Sequence, residues 1–313
     1  MLRGSLLAAA LFALLGLGSG TGHVRNGRIA YEHVGNGNRF QIYTVTATGT
    51  HRRHLTSGRT YSSWDAAYSP NGKRIAFVRA SKHAIDLWTM NADGTHQRRL
   101  GATAGIHEID PAWSPDGTQI AFAVESPLGQ QGIWVMTANG QNRKQLTTGA
   151  DTNPAWSPDG SQIAFQRSDA FTHMDSVRAV PAAGGTPTDL TEDPLSDYLD
   201  PAWSPNGNWL LLSSDRDDDQ SQLDLWALNL RAAGPVPSFV RVTNTPSRDE
   251  RNPAWSPDGR KIVYSGEGSF HGASSSQLYV SSANGTNRHI LTHACGECAW
   301  INDDPSWQPL EPH

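Results

Sequence analysis

Long apolar runs are almost absent from this chain. The only one, residues 6–17, is about twelve residues, short of the roughly twenty that a bilayer-spanning helix needs. Apolar residues recur nowhere with helical period, which excludes a helical array or bundle. Common catalytic signatures are missing too. The sequence has no G-x-S-x-G nucleophile elbow, no H-E-x-x-H, no phosphate-binding glycine loop and no dinucleotide fingerprint. Nor is there a basic excess: the formal net charge is −5, which argues against nucleic acid as a partner, since nucleic acid is met by a basic face.

Turn formers and tryptophan are abundant instead. Thirty glycines and 19 prolines suit a fold with many turns, and 11 tryptophans against 8 phenylalanines point to one core position used repeatedly. That position sits in D-P-A-W-S-P-D-G at 110–117, followed at once by the apolar run 120–122. The octet recurs as N-P-A-W-S-P-D-G at 153–160, D-P-A-W-S-P-N-G at 200–207 and N-P-A-W-S-P-D-G at 252–259, with a degenerate copy at 65–72. From Tyr68 through Trp113, Trp156, Trp203, Trp255 and Trp307 the steps run from 43 to 52 residues. Repeats of this length mean propeller blades or helical arrays. Pattern decides between them, because Pro followed by Asp-Gly or Asn-Gly between short apolar runs is hairpin-turn chemistry.

After each octet comes a second unit, such as G-I-W-V-M at 132–136, the turn T-A-N-G at 137–140 and a polar strand ending at Leu146 and Thr147. Equivalent units lie at 87–100, 176–191, 225–243 and 278–292. Each repeat therefore supplies four short strands, one propeller blade. The last copy, D-D-P-S-W-Q-P at 303–309, supplies a first strand only. Its missing partners stand at the other end, at 29–31, 41–45 and 51–56. The sequence thus predicts an all-β, six-bladed β-propeller of four-stranded antiparallel blades, closed by the C-terminal strand joining the N-terminal blade. Arg3, the apolar run and the small residues 18–22 read as a signal peptide over 1–22, leaving 23–313 as a single propeller, exported to the periplasm or beyond and expected to be a monomer.

Cys295 and Cys298 form C-G-E-C just after His289 and His293. In an exported protein a local disulfide between them is the simplest account; a zinc site is the alternative, on a non-standard spacing. The outer-strand arginines and lysine, Arg52, Arg53, Arg98, Arg99, Arg143, Lys144, Arg241 and Arg288, read as edge protection by charge. The glycine-rich stretch 266–272 and the acidic stretch 215–219 read as solvated loops between second and third strands.

Polar chemistry converges in one place. The loops entering the first strands and those between second and third strands open on the same face of the disc. Asp65, Asp110, Asn153, Asp200, Asn252 and Asp304 come one per blade around the central channel, most of them expected to make Asx turns. His107 and Glu108 adjoin that ring, and His83, His173, Asp175 and His271 come from the other loops. Loops on a rigid scaffold are where function concentrates. The candidate ligand-binding residues are therefore Asp65, His107, Glu108, Asp110, His173, Asp200 and Asp304, with no catalytic residue, metal or cofactor assigned.

The units D-P-A-W-S-P-D-G-T-Q-I-A-F at 110–122 and L-W-T-M-N-A-D-G-T at 87–95 resemble the WD-like repeats of the TolB propeller family, over nearly the whole chain after residue 22. The resemblance implies the propeller fold. It leaves several functions open, since such propellers serve as protein-binding platforms, as gating domains of peptidases and, in distant relatives, as metal-dependent lyases. The expectation is a propeller standing alone, without the additional N-terminal α/β domain of TolB or a hydrolase domain after the propeller. The expected function is a non-catalytic binding module for a protein or peptide with a cationic segment; the alternative is a metal-assisted carbohydrate-active or hydrolytic enzyme with its site at the channel mouth.

Overall fold

The computed structural model describes residues 25–34, 39–82, 84–101, 105–126, 129–191, 193–217, 222–232, 238–270, 273–292 and 302–310. Among them are 24 strands and no helix. Six four-stranded antiparallel sheets result, five of them from consecutive strands. The sixth is composite, because β24 (Asn302–Leu310) pairs with β1 (Arg25–Val34), followed outward by β2 (Phe40–Val45) and β3 (Arg53–His54). The expected six blades and the closure between the two ends of the fold are both present. Residues 1–22, His83, His271 and His293, and with them Cys295 and Cys298, lie outside the described residues.

One blade shows how the octet folds. Its inner strand β8 (His107–Trp113) ends in a tight turn to β9 (Gln119–Glu125), which pairs with β10 (Gly132–Thr137) and then β11 (Lys144–Gln145). Ser114 closes the turn from both sides: its hydroxyl donates to Asp116 Oδ1 at 2.6 Å and accepts from the Gln119 amide at 2.9 Å. Gly117 takes a φ of 71°. The same serine recurs in the turns at 157, 204 and 256. Trp113 lies against the preceding blade, its Nε1 donating to the Ala67 carbonyl at 3.1 Å; Trp203 and Trp255 do the same to Ala155 and Ala202.

The octet's first two residues depart from expectation. They lie inside the inner strand rather than in the loop entering it. Between Ile109 and Ala112 the register slips, so that Asp110 and Pro111 together oppose one residue of β9, and the equivalent slip occurs in every blade. This is a β-bulge. Asp65, Asp110, Asn153, Asp200, Asn252 and Asp304 each adopt φ between 44° and 54°, a left-handed conformation that Asp and Asn tolerate better than most residues. In five of the six blades a proline follows, which has no N–H to leave unpaired there; Ala66 takes its place after Asp65.

The core lies between blades. Ala121, Ala123, Ile133, Val135 and Leu146 of one blade pack on Ile163, Phe165 and Val180 of the next, and at the closure Ile29, Tyr31, Val45 and Trp307 pack on Val263, Leu278, Val280 and Leu291. Gly140, at φ 90°, brings its turn so close to the previous blade that a Cβ there would lie 1.8 Å from the Leu100 carbonyl oxygen.

The outer edges are short, two residues in five blades and four in the sixth. Several of their arginines reach inward to buried carboxylates: Arg99 to Asp86 at 2.6 Å, Arg143 to Glu108, Arg241 to Asp224, and Arg288 to Glu250 at 3.3 Å. The stretch read as a glycine-rich loop is mostly strand. β21 (Lys261–Phe270) and β22 (Ala273–Ser282) are paired up to Phe270 and Ala273, giving a hairpin longer than that of the four other blades built from consecutive strands.

Candidate functional site

The six bulge residues form a ring in the central channel, a cavity of about 330 Å³ lined by Asx, proline and alanine or serine from five blades and by Asp65, Ala66 and Ala67 from the sixth. Each side chain reaches its neighbour. Asp65 Oδ2 accepts the Asp110 amide at 3.3 Å, and Asp110 Oδ2 accepts that of Asn153 at 3.0 Å. Asn153 Nδ2 donates to Asp200 Oδ1 at 2.7 Å, and Asp200 Oδ2 accepts the Asn252 amide at 3.2 Å. Asn252 Nδ2 donates to Asp303 Oδ1 at 2.8 Å, which also accepts the Asp304 amide at 3.0 Å. The left-handed bulge turns the amides of Asp110, Asn153 and Asn252 toward the previous side chain, so the ring is both a fastening between blades and a concentration of carboxylates.

That concentration is reflected in the acidities. Burial, then the neighbouring carboxylates, push the pKa of Asp65 and of Asp304 well above the ordinary range. Asp110 is pushed up to about 6, chiefly by burial, and Asp200 is raised for the same reason. The ring residues are partly solvent-accessible in the channel.

Glu32, on β1, completes the densest part of the ring. One oxygen of Glu32, Asp65 and Asp304 each lie within 4.8 Å of one another. Glu32 is buried, its Oε2 has no hydrogen-bond partner, and burial followed by Asp304 and Asp303 raises its pKa well above normal. An all-oxygen donor set suits a hard cation such as Ca²⁺ or Mg²⁺, so these three residues could hold one.

The residues expected to form the site divide into three groups. Asp65, Asp110, Asp200 and Asp304 are brought together. His107 and His173 lie outside the ring but on the same face, both exposed: His107 has Nδ1 3.9 Å from Glu125, and His173 occupies the loop before β14 (Asp175–Pro181) with its amide donating to the Asp169 carbonyl at 3.0 Å. Glu108 is buried and paired with Arg143. Sequence reading passed over Glu32 and Asp303. For Glu32 the signal was a charged residue breaking the apolar second strand, where the equivalent positions are Val78, Ala123, Gln166, Ser213 and Ser265. Gln166 and Ser213 also serve the ring, through Asn153 at 3.2 Å and Asp200 at 3.2 Å.

The family model described as TolB beta propeller domain matches residues 21–311. Among solved structures, TolB from Acinetobacter baumannii superposes with a TM-score of 0.75 at 21% identity, over 97% of this chain and 71% of that one. An oligogalacturonate lyase from Vibrio parahaemolyticus gives 0.55 at 13% identity, over 80% and 71%. A puromycin-hydrolyzing peptidase of Mycobacterium tuberculosis gives 0.56 at 14%, over 88% and 53%. At these identities the likeness is one of fold. Among the curated proteins no sequence matches. No helix among the described residues is long and apolar enough to cross a membrane.

Proposed function

The chain belongs to the TolB beta propeller domain family, and from that premise we propose that it is an exported, non-catalytic binding module whose carboxylate-ringed face receives a cationic segment of a protein or peptide partner. The observation that carries this reading is the ring itself: Asp65, Asp110, Asp200 and Asp304, with Glu32 and Asp303 beside them, converge on one opening. A concave mouth of one sign focuses its field and steers an oppositely charged ligand. The two most exposed large apolar side chains among the described residues, Phe171 and Leu195, stand in loops on the same face. They suit a partner whose basic residues are interspersed with apolar ones.

The test is calorimetric titration with hexa-arginine at low and high salt, on the wild type and on Asp110→Asn/Asp200→Asn. Asparagine already fills this position at 153 and 252, so the variant should fold. Binding should weaken with salt and weaken again in the variant. A folded variant with unchanged affinity would overturn the assignment of the site. N-terminal sequencing of protein recovered outside the cytoplasm should find a start near residue 23.

A second reading, a metal-assisted carbohydrate-active or hydrolytic enzyme, is favoured by the oxygen cluster of Glu32, Asp65 and Asp304. Turnover by the wild type that requires a divalent cation and is lost in Glu32→Gln would move the assignment there.

A further inference from the structure

Beside the ring, on the same face, lies a second and larger cavity of about 550 Å³. Its walls come from three blades: Glu32, Phe40 and Asp303 from the composite blade, Gln222 from one neighbour, and Asp249, Glu267 and Ser275 from the blade between them. The extended hairpin of β21 and β22 raises one wall, for Glu267 and Gly268 pair with Ser276 and Ser275 in its upper part. The size falls within the range of small-ligand sites.

Its chemistry is one-sided. Four carboxylates, Glu32, Asp249, Glu267 and Asp303, face a space that holds one guanidinium, Arg248, whose Cζ lies 5.4 Å from the centre of the Tyr279 ring. Arg251 is near enough to act on Glu267, but does not outweigh burial and Asp303, which leave that carboxyl's pKa above its ordinary value. Two of the four are committed elsewhere on one oxygen, Asp249 Oδ1 to the Leu223 amide at 3.1 Å and Asp303 Oδ1 to Asn252 and Asp304. Glu32 is 6% exposed and its Oε2 has no partner at all. A buried carboxylate oxygen left unpaired is costly, and here it lies at the boundary between the ring and a cavity large enough to admit its partner. Phe40 supplies an apolar surface to the same cavity.

We propose that this cavity is a side-chain receptor that takes a single guanidinium on an aliphatic stem, its N–H groups donating to Glu32 and Glu267 while the stem lies on Phe40. A guanidinium fits because its planar fork of five donors can serve several carboxylates at once. The inference rests on the cationic-segment reading above and adds where one residue of that segment is anchored. The same chemistry is offered by an arginine side chain and by a free alkylguanidine.

Agmatine and hexa-arginine, titrated calorimetrically at pH 8 into the full chain, separate these sources and the two sites. The variants are Glu267→Gln and, independently, Ser275→Arg, which tethers a guanidinium at the cavity rim; circular dichroism melts check their folding. Agmatine should bind the wild type, bind Glu267→Gln about tenfold more weakly, and fail to bind Ser275→Arg. Hexa-arginine should lose affinity in both. Agmatine that binds while hexa-arginine is indifferent to both variants would place the site's ligand among free guanidines and overturn the anchoring of a partner residue. Wild-type protein that ignores agmatine, or folded variants that bind both probes as the wild type does, would overturn the receptor itself. If hexa-arginine binding then still falls in Asp110→Asn/Asp200→Asn, the ring reading survives alone; if it does not, both fail.

Discussion

Replacing Asp110 by asparagine should make the protein more stable at neutral pH, although it removes a hydrogen-bonded carboxylate. Asp110 carries its proton up to about pH 6 in the folded ring, against 3.8 for an unperturbed aspartate, mainly because of burial. The folded state therefore binds more protons than the unfolded state between these values, and stability falls as pH rises through the window. Above it, the folded state bears the whole penalty of an ionised, crowded carboxylate. The shift corresponds to about 3 kcal/mol, reduced to about 1–3 kcal/mol by solvent in the channel. Asparagine keeps an oxygen to accept the Asn153 amide, and the left-handed backbone suits it, as Asn153 and Asn252 show at φ 50° and 51°. Urea denaturation of both proteins from pH 4 to pH 8 measures the difference. The curves should coincide near pH 4 and diverge by about 1–3 kcal/mol at pH 8, a melting-temperature gain of a few degrees for a protein of this size. A variant that is no more stable than the wild type at pH 8, or whose advantage is the same at pH 4, would refute the argument that crowding in the ring is costly.

Trp307, 5% exposed where β24 meets its neighbours, closes the circle, and Trp307→Ala should lower the denaturation free energy by about 3–5 kcal/mol; a melt at the wild-type temperature would contradict the packing described. Arg143→Met leaves Glu108 buried without its partner, at a cost of about 3–5 kcal/mol, and adding Glu108→Leu should recover much of the loss in the same assay. For Cys295 and Cys298, mass spectrometry of unreduced protein should show two hydrogens fewer than the thiol form, whereas stoichiometric zinc on reduced thiols would revive a site with His289 and His293.

Blade number and closure were legible because the octet repeats with few changes and breaks off at Trp307, leaving only one way to complete a sheet. The bulge was not legible. Asx-Pro before a strand is as compatible with a turn as with two residues opposing one, and only the register between Ile109 and Ala112 distinguishes them. The carboxylates of the octets announced the ring, whereas Glu32 was hidden in a second strand, where charge is unexpected until its neighbours across the channel are known. Outer-strand arginines showed their position but not their partners, because Arg143 and Glu108 are 35 residues apart and meet only across the blade. Glycines at 266 and 268 suggested a loop, yet the hairpin's pairing continues past both, so composition understated the cavity wall.

The pairing of β1 with β24 also fixes how the propeller would bear a load. Arg25 lies opposite Leu310 and Asn26 opposite Pro309, so the backbone leaves the described fold at neighbouring points on the face opposite the carboxylate ring. A tether at either point would hold the molecule with its acidic face outward. Tension applied between the two points would act at one end of an antiparallel pair and peel it apart one rung at a time, beginning with Arg25 and Leu310 and reaching the Trp307 contacts only later. A partner pulling on the ring face would instead load six fastened blades together. The same circle should be compliant when drawn by its ends and stiff when drawn by its ligand.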